Sequence, residues 1–221
     1  MLYFYLHEVS LLKPYGLDVQ KLMKCVDRAP RGRKTLKAMQ VALWVVLENV
    51  SRRDIRIFPP PSDSDVCNAI WLLRNSGLKV EDYELYREII RYVEERPDLP
   101  VRVYYNIVFR GDNAFVYGEV ENLGDLAIER IRIRIALFDK NGSVTWLSSI
   151  YPFGSVLYPR EKSPFESLIQ VGYLGIDPSN IYCEAWVFSI SEALLEDYYR
   201  DFELSNVTVL TEDDNGGRGN S

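Results

Sequence analysis

The sequence predicts an α+β protein made of two domains, an all-α helical domain followed by a seven-stranded antiparallel β-sandwich. Hydrophobic residues recur at helical spacing up to residue 97 and alternate with polar residues after residue 101, and Pro97 and Pro100 separate the two patterns. We therefore expect a helical domain over residues 1–97, a sandwich over residues 101–211 and a mobile acidic, glycine-rich tail over residues 212–221.

Composition excludes several classes of protein. The 221 residues are 47% hydrophobic and 26% charged, which is enough to bury a core, and no apolar run approaches the roughly 18 residues that cross a membrane. A net charge of −6 makes nucleic acid an unexpected partner. Residues 1–8 lack the features of a secretory signal, so we expect a cytoplasmic protein, or an extracellular one if a leader has been removed. Many arginines and prolines beside few methionines and cysteines suggest a thermophilic source.

Helical periodicity defines the elements of the first half. Residues 2–12 lack turn signals and are predicted as helix, with a strand as the alternative. The remaining predicted helices are Leu17–Val26, Thr35–Val50, a segment from Ser62 or Ser64 to Gly77, and a segment from Val80 to Pro97. The second of these is apolar around most of its circumference, which predicts a buried central helix.

Seven β-prone runs follow, separated by turns rich in Gly, Asn, Asp and Pro. Their number and size are typical of an immunoglobulin-like sandwich. The predicted strands are Val101–Arg110, Ala114–Asn122, Ile128–Asp139, Val144–Ile150, Phe165–Val171, Ile181–Ser189 and Phe202–Thr211.

Isoleucine and arginine alternate over residues 130–135, which predicts that the isoleucines face the core and the arginines face water. If the preceding strand forms a hairpin with this one, Glu119 and Glu121 lie across from Arg132 and Arg134. We therefore expect an exposed ladder of Arg/Glu pairs.

The second half also resembles the FxLYD family. The resemblance rests on three stretches, namely Val116–Asn122, Ile131–Gly142, and Leu157-Tyr158-Pro159 with Pro164-Phe165. It implies an Ig-like β-sandwich that serves as an accessory module, mainly in prokaryotic and often cell-surface or membrane-associated proteins. The family carries no catalytic residues to transfer.

A second resemblance concerns Cys25 and the helical segment Gln40-Val41-Ala42-Leu43-Trp44. This segment resembles the glutamine segment of bacterial surface thioester domains, which implies that the Cys25 thiol displaces ammonia from the Gln40 amide. The protein would then be a covalent adhesin. In the alternative interpretation, Gln40 is a polar residue on a core helix and Cys25 is a small buried hydrophobe.

The basic residues of the first half concentrate in one segment. Residues 13–37 carry eight basic groups against Asp18 and Asp27, and Arg31, Arg33 and Lys34 precede a predicted helix N-terminus. A phosphate, an acidic glycan or a nucleic acid could bind there. One alternative is a solvated face. The other is a docking surface for the second half, because the two halves have opposite charge: residues 1–97 have a net charge of +3 (16 basic, 13 acidic), and residues 98–221 have a net charge of −9 (10 basic, 19 acidic).

The strand Ile181–Ser189 is apolar on both faces, with Tyr182, Trp186 and Phe188 on one of them. We expect the helical half to cover this aromatic face. An exposed interface for a partner is the alternative.

Enzyme chemistry is not expected. The chain has one histidine, His7, and no nucleophile or phosphate-binding motif. Its three cysteines form no zinc-binding pattern, so we expect neither a metal nor another cofactor, and sequence leaves open whether Cys25 and Cys67 pair. The sequence thus predicts a non-catalytic interaction or accessory protein that binds a protein or cell-envelope component.

Overall fold

A computed structural model describes residues 16–192 of the chain. Three sequence predictions lie outside the described residues: the element over residues 2–12, the strand over residues 202–211 and the tail over residues 212–221. Within residues 16–192, four helices precede seven antiparallel strands in two sheets, so the predicted α+β class is confirmed.

Side-chain caps from the preceding residue mark the start of two of the four helices of residues 16–192. The helices are α1 (Gly16–Arg28), α2 (Leu36–Glu48), α3 (Asp63–Asn75) and α4 (Glu84–Glu94). Thr35 caps α2 by accepting from the backbone N–H of Ala38, and Ser62 forms a capping box with Asp65 at the start of α3. Gly77, with φ of 82°, follows the end of α3.

The last helix begins later than its periodicity predicts. Val80–Asp82 form a 3₁₀ turn, and Tyr83 is extended with φ of −95° and ψ of 138°. Helix α4 therefore begins at Glu84, whose backbone N–H donates to the Asn49 side chain at 3.0 Å. A residue distant in sequence thus supplies the cap, and local periodicity does not reveal it.

The strands form two sheets. They are β1 (Val101–Arg110), β2 (Asn113–Asn122), β3 (Ile128–Asp139), β4 (Val144–Ile150), β5 (Val156–Leu157), β6 (Lys162–Ile169) and β7 (Ile181–Glu192). The first sheet has the order β1-β2-β6, and the second has β3 between β7 on one side and β4 and β5 on the other. The short β5 was not predicted. Strand β6 begins three residues earlier than predicted, because an edge strand tolerates Pro164.

The predicted hairpin between β2 and β3 is wrong, because these consecutive strands belong to different sheets. Glu121 lies opposite Arg102 of β1 and Lys162 of β6, and Glu119 pairs with Lys162 at 3.5 Å. The glutamates therefore meet basic partners within the first sheet, and the ladder with Arg132 and Arg134 does not form.

The isoleucines of β3 do face the core between the two sheets. Ile131, Ile133 and Ile135 pack there with Phe165 of the first sheet. The opposite face of the second sheet is buried as well, because its side chains join the core of the helices. The sheet residues in the helical core are Ala136, Phe138, Leu147 and Trp186. The molecule thus has three layers, with the second sheet between the helices and the first sheet.

Arg134 corrects the prediction that all three arginines face water. Arg130 and Arg132 are exposed, but Arg134 is only 6% exposed. Its Nη1 donates to the backbone oxygen of Tyr92 in α4 at 2.6 Å, and its guanidinium carbon lies 3.9 Å from the ring centroid of Phe188. Burial lowers the pKa of Arg134. The alternation correctly separates the two faces of β3, but α4 covers the face that was expected to meet water.

Candidate functional site

The predicted anion-binding segment lies in the turn between α1 and α2, and its central residue, Arg33, is only 1% exposed. Arg33 Nε donates to the backbone oxygen of Leu174 at 2.9 Å, and Nη1 donates to Asn68 Oδ1 at 2.9 Å and to the backbone oxygen of Thr145 at 2.7 Å. Burial lowers the pKa of Arg33 to about 10. Protein acceptors therefore occupy this guanidinium, which joins α3 to the sandwich.

The turn that carries Arg33 fits closely against the sandwich. The backbone N–H of Gly32 donates to the backbone oxygen of Tyr173 at 3.0 Å, and a Cβ at Gly32 would lie 2.7 Å from that oxygen. Only glycine permits this approach. The turn is thus part of the junction between the helices and the sandwich.

The two other residues of the predicted anion site have different surroundings. Arg31 is exposed. Lys34 Nζ donates to the backbone oxygens of Val26 and Asp27 at 3.5 and 3.4 Å, which places its charge at the C-terminus of α1. An anion at Arg31, Arg33 and Lys34 stays a prediction from sequence.

The cysteines of residues 16–192 are all free thiols, so Cys25 and Cys67 do not pair. Cys25 lies on α1, and burial raises the pKa of its thiol, which favours the neutral form. Gln40 lies on α2 and is half-buried. A thioester between Cys25 and Gln40 stays a prediction. It is tested by intact mass: the untreated protein should be lighter by one ammonia, and methylamine, which opens a thioester by forming an amide, should then add its own mass.

The aromatic residues of β7 fall in two environments. Trp186 is 8% exposed and belongs to the helical core, and Phe188 packs against that core. The guanidinium carbon of Arg96 lies 3.6 Å from the Trp186 ring centroid, and Arg96 Nη2 pairs with Glu184 at 2.6 Å. Tyr182 is 45% exposed. The helical half therefore covers most of the aromatic face that β7 presents.

A different aromatic surface is exposed on the outer side of the first sheet. We call it the aromatic sheet face, and it consists of Tyr104, Phe115, Tyr117 and Leu168, which are 37–55% exposed. Phe115 of β2 lies directly opposite Leu168 of β6, and Tyr117 is the next outward residue of β2. These side chains thus form one continuous surface across three strands.

Charged residues border one end of the aromatic sheet face. Tyr104 Oη donates to Glu121 at 3.1 Å and accepts from Arg102 at 3.2 Å, and Lys162 Nζ lies 4.8 Å from the Tyr104 ring centroid. Both signs of charge alternate across the strands. This end of the face therefore resembles the polar rim of a protein interface.

A cleft of about 310 Å³ borders the other end, at the junction between the helices and the sandwich. Leu168 lines this junction cleft and also belongs to the aromatic sheet face. Trp146, Tyr173 and the Asp65 carboxylate line it too. Asp65 accepts from Thr35 Oγ1 at 2.9 Å, so its position is fixed. The cleft offers aromatic walls and one negative group.

Sequence reasoning missed both the aromatic sheet face and the junction cleft. The signal for the face was that Phe115 and Tyr117 are two residues apart in β2 and so lie on the same side of the strand, and that Tyr104 of β1 lies on that side too. No local signal predicts the cleft, because its lining comes from the turn between α1 and α2, from α3, from β4, and from β6 with the segment after it.

Residues 16–192 contain neither a membrane-spanning helix nor a metal-binding cluster. No helix in this part of the chain has the length and apolar character needed to cross a membrane. No group of three or more His, Cys, Asp or Glu side chains there could hold a metal ion.

Comparisons with known proteins give only distant likenesses. No protein-family model matches the chain, and no curated protein matches it. The crystal structure of a DUF1425 family member from Shewanella sp. pv-4 is similar at 13% identity and a TM-score of 0.28, over 40% of this chain and 75% of that one.

Two larger solved structures give TM-scores of 0.28 as well. Beta-glucosidase 3B from Thermotoga neapolitana in complex with glucose shares 15% identity, over 43% of this chain and 17% of that one. A penta-heme cytochrome c552 from Thermochromatium tepidum shares 9% identity, over 46% and 35% respectively. At these scores none of the three assigns a family or a function to this chain.

Proposed function

We propose that this protein is a non-catalytic interaction protein that binds another protein through the aromatic sheet face and the junction cleft beside it. The observation that carries the proposal is the continuous exposure of four large apolar side chains on one side of the first sheet. Continuous exposed apolar areas mark interaction sites, and aromatic residues are enriched in protein interfaces.

The junction cleft suggests what the partner contributes. Aromatic walls at Trp146 and Tyr173 suit the apolar stem of a lysine or arginine side chain, and the Asp65 carboxylate suits its charge. A cleft at the end of a flat apolar face is a typical place for an anchoring side chain. The proposed partner is therefore a protein with an apolar docking surface and one basic side chain that enters the cleft.

The proposal includes the finer assignment of the sandwich to FxLYD-like accessory modules. Residues of that resemblance have defined roles in the fold, which supports the assignment. Asn122 is fully buried, and its Nδ2 donates to the backbone oxygens of Leu126 and Leu157 at 2.8 and 2.9 Å. Asn122 Oδ1 accepts from the backbone N–H of Gly124 at 2.9 Å, so this one side chain holds the crossing between the two sheets.

The test begins with the full chain as bait in a lysate of the source organism. Each captured protein is then produced in pure form, and its affinity is measured by titration calorimetry. The double variant Phe115→Ser with Leu168→Asp should weaken binding at least about 30-fold, because hot-spot side chains contribute roughly 2 kcal/mol or more each. Both side chains are exposed, so the variant should keep the wild-type melting temperature.

Phe58→Ser is the matched control, since Phe58 is 96% exposed and lies in the helical half. It should leave the affinity within about twofold. Equal affinity of the double variant and the wild type would refute the proposal. The proposal would also be overturned if the purified chain forms dimers, if the double variant dissociates them, and if no captured protein binds directly. That result would show that a second copy of the chain covers the face.

A further inference from the structure

A second concave site lies in the helical half, away from the aromatic sheet face. We call it the basic cleft; it has a volume of about 370 Å³ and lies between α1 and α3. Its rim carries the basic side chains of α1, and its wall includes the partly exposed Trp71 of α3. The basic residues are Lys21, Lys24 and Arg28. Their spacing of three and four residues places them on one side of the helix.

Two of the three cations of this cleft are not used for other contacts in the part of the chain that the structure describes. Lys24 and Arg28 are exposed and form no ion pair or side-chain hydrogen bond with residues 16–192, and Lys21 pairs only with the half-exposed Asp18 at 3.3 Å. Among residues 16–192, nothing therefore competes with a ligand for these two basic groups.

The helix ends beside the cleft do not need these cations. Lys34 donates to backbone oxygens at the end of α1. At the end of α3, the backbone N–H of Ser76 and its hydroxyl satisfy the oxygen of Leu73, and the Asn75 side chain donates to the oxygen of Trp71. The usual structural reason for basic residues near a helix C-terminus is thus already met by other groups.

The floor of the basic cleft adds no negative charge. Cys25 and Ala29 line it, and burial raises the pKa of the Cys25 thiol, which keeps it neutral. A cleft with an aromatic wall, a neutral floor and cations on its rim suits a ligand that has a flat apolar body and an anionic group.

We infer that the basic cleft binds a planar organic phosphate, with the ring system beside Trp71 and the phosphate between Lys24 and Arg28. The site is separate from the proposed protein-binding face, so either proposal can fail without the other. Lys21 lies on the same rim and adds to the positive potential.

The experiment titrates the full chain with adenosine monophosphate and with adenosine by calorimetry, at low and at physiological salt. The monophosphate should bind at least about tenfold more tightly than the nucleoside, and its affinity should fall as salt rises. The variant Lys24→Gln with Arg28→Gln should remove this preference. Its side chains are exposed, so it should melt at the wild-type temperature.

Arg31→Gln with Lys37→Gln is the matched control. It also removes two positive charges from the basic segment of residues 13–37, but neither residue lines the cleft. It should leave the affinity for the monophosphate within about twofold. Equal losses in the two double variants would indicate a diffuse surface potential and overturn the inference. Equal binding of adenosine and its monophosphate, or no binding of either, would overturn it too.

Discussion

Arg33 provides the sharpest test of how the two halves are joined. In the variant Arg33→Met, a side chain of similar length keeps the packing but removes the three hydrogen bonds to Leu174, Asn68 and Thr145. Each hydrogen bond from a charged donor contributes about 1.5–3 kcal/mol, so the gross loss is about 5–9 kcal/mol.

Part of that loss in unfolding free energy is offset, because the variant no longer buries a charge. Burial lowers the pKa of Arg33 from 12.5 to about 10, and a shift of this size corresponds to a burial penalty of roughly 3 kcal/mol. We therefore expect Arg33→Met to lower the free energy of unfolding by about 2–6 kcal/mol. The stability of Arg33→Lys should lie between those of the wild type and Arg33→Met, because one ammonium group cannot reach all the acceptors that the guanidinium group spans.

The assay is urea unfolding of the full chain, followed by circular dichroism and by tryptophan fluorescence. Arg31→Met is the matched control, since Arg31 is an exposed neighbour in the same turn, and its effect should stay within about 0.5 kcal/mol. The reasoning is refuted if Arg33→Met also stays within that range, or if Arg31→Met destabilises the protein as much as Arg33→Met does.

Two other substitutions test the sandwich and the helical core. Asn122→Ala removes three side-chain hydrogen bonds at a fully buried position and should lower the free energy of unfolding, measured in urea, by about 2–4 kcal/mol. The control Asn106→Ala, at an exposed position, should change this free energy little. Equal effects of the two substitutions would contradict the role assigned to Asn122. Burial, assisted by the charge of Asp63, raises the pKa of the Cys67 thiol from 9.0 to about 12. Above pH 9 the unfolded chain loses this proton and the folded chain keeps it, so the free energy of unfolding should fall between pH 9 and 12. In Cys67→Ala this fall should be less steep by up to about 1.4 kcal/mol per pH unit. Parallel plots of unfolding free energy against pH for the variant and the wild type would exclude the effect of Cys67.

Local patterns predicted the elements, because their signals lie within a few residues. The bounds of β1, β3 and β4 agree with the alternation and turn residues of the sequence, and Ser62 and Gly77 mark the ends of α3 as expected. Strand β5 escaped prediction because two residues carry no periodicity.

Contacts between distant segments could not be predicted in the same way. Arg33 bonds to Leu174, 141 positions away, and nothing beside Arg33 distinguishes it from the exposed Arg31. Arg134 alternates with isoleucines just as Arg132 does, yet α4 covers only Arg134. Alternation separates the faces of a strand, but only the tertiary structure determines which element covers each face.

Strand β3 is enclosed from every direction over six consecutive residues, Ile133–Phe138. Odd-numbered side chains there meet the first sheet, even-numbered ones meet the helices, and β4 and β7 bond to both edges. Random mutagenesis should therefore find this hexapeptide the least permissive stretch of residues 18–191. Substitutions should be rejected at every position of it, and not only at alternate positions as in a strand with one exposed face.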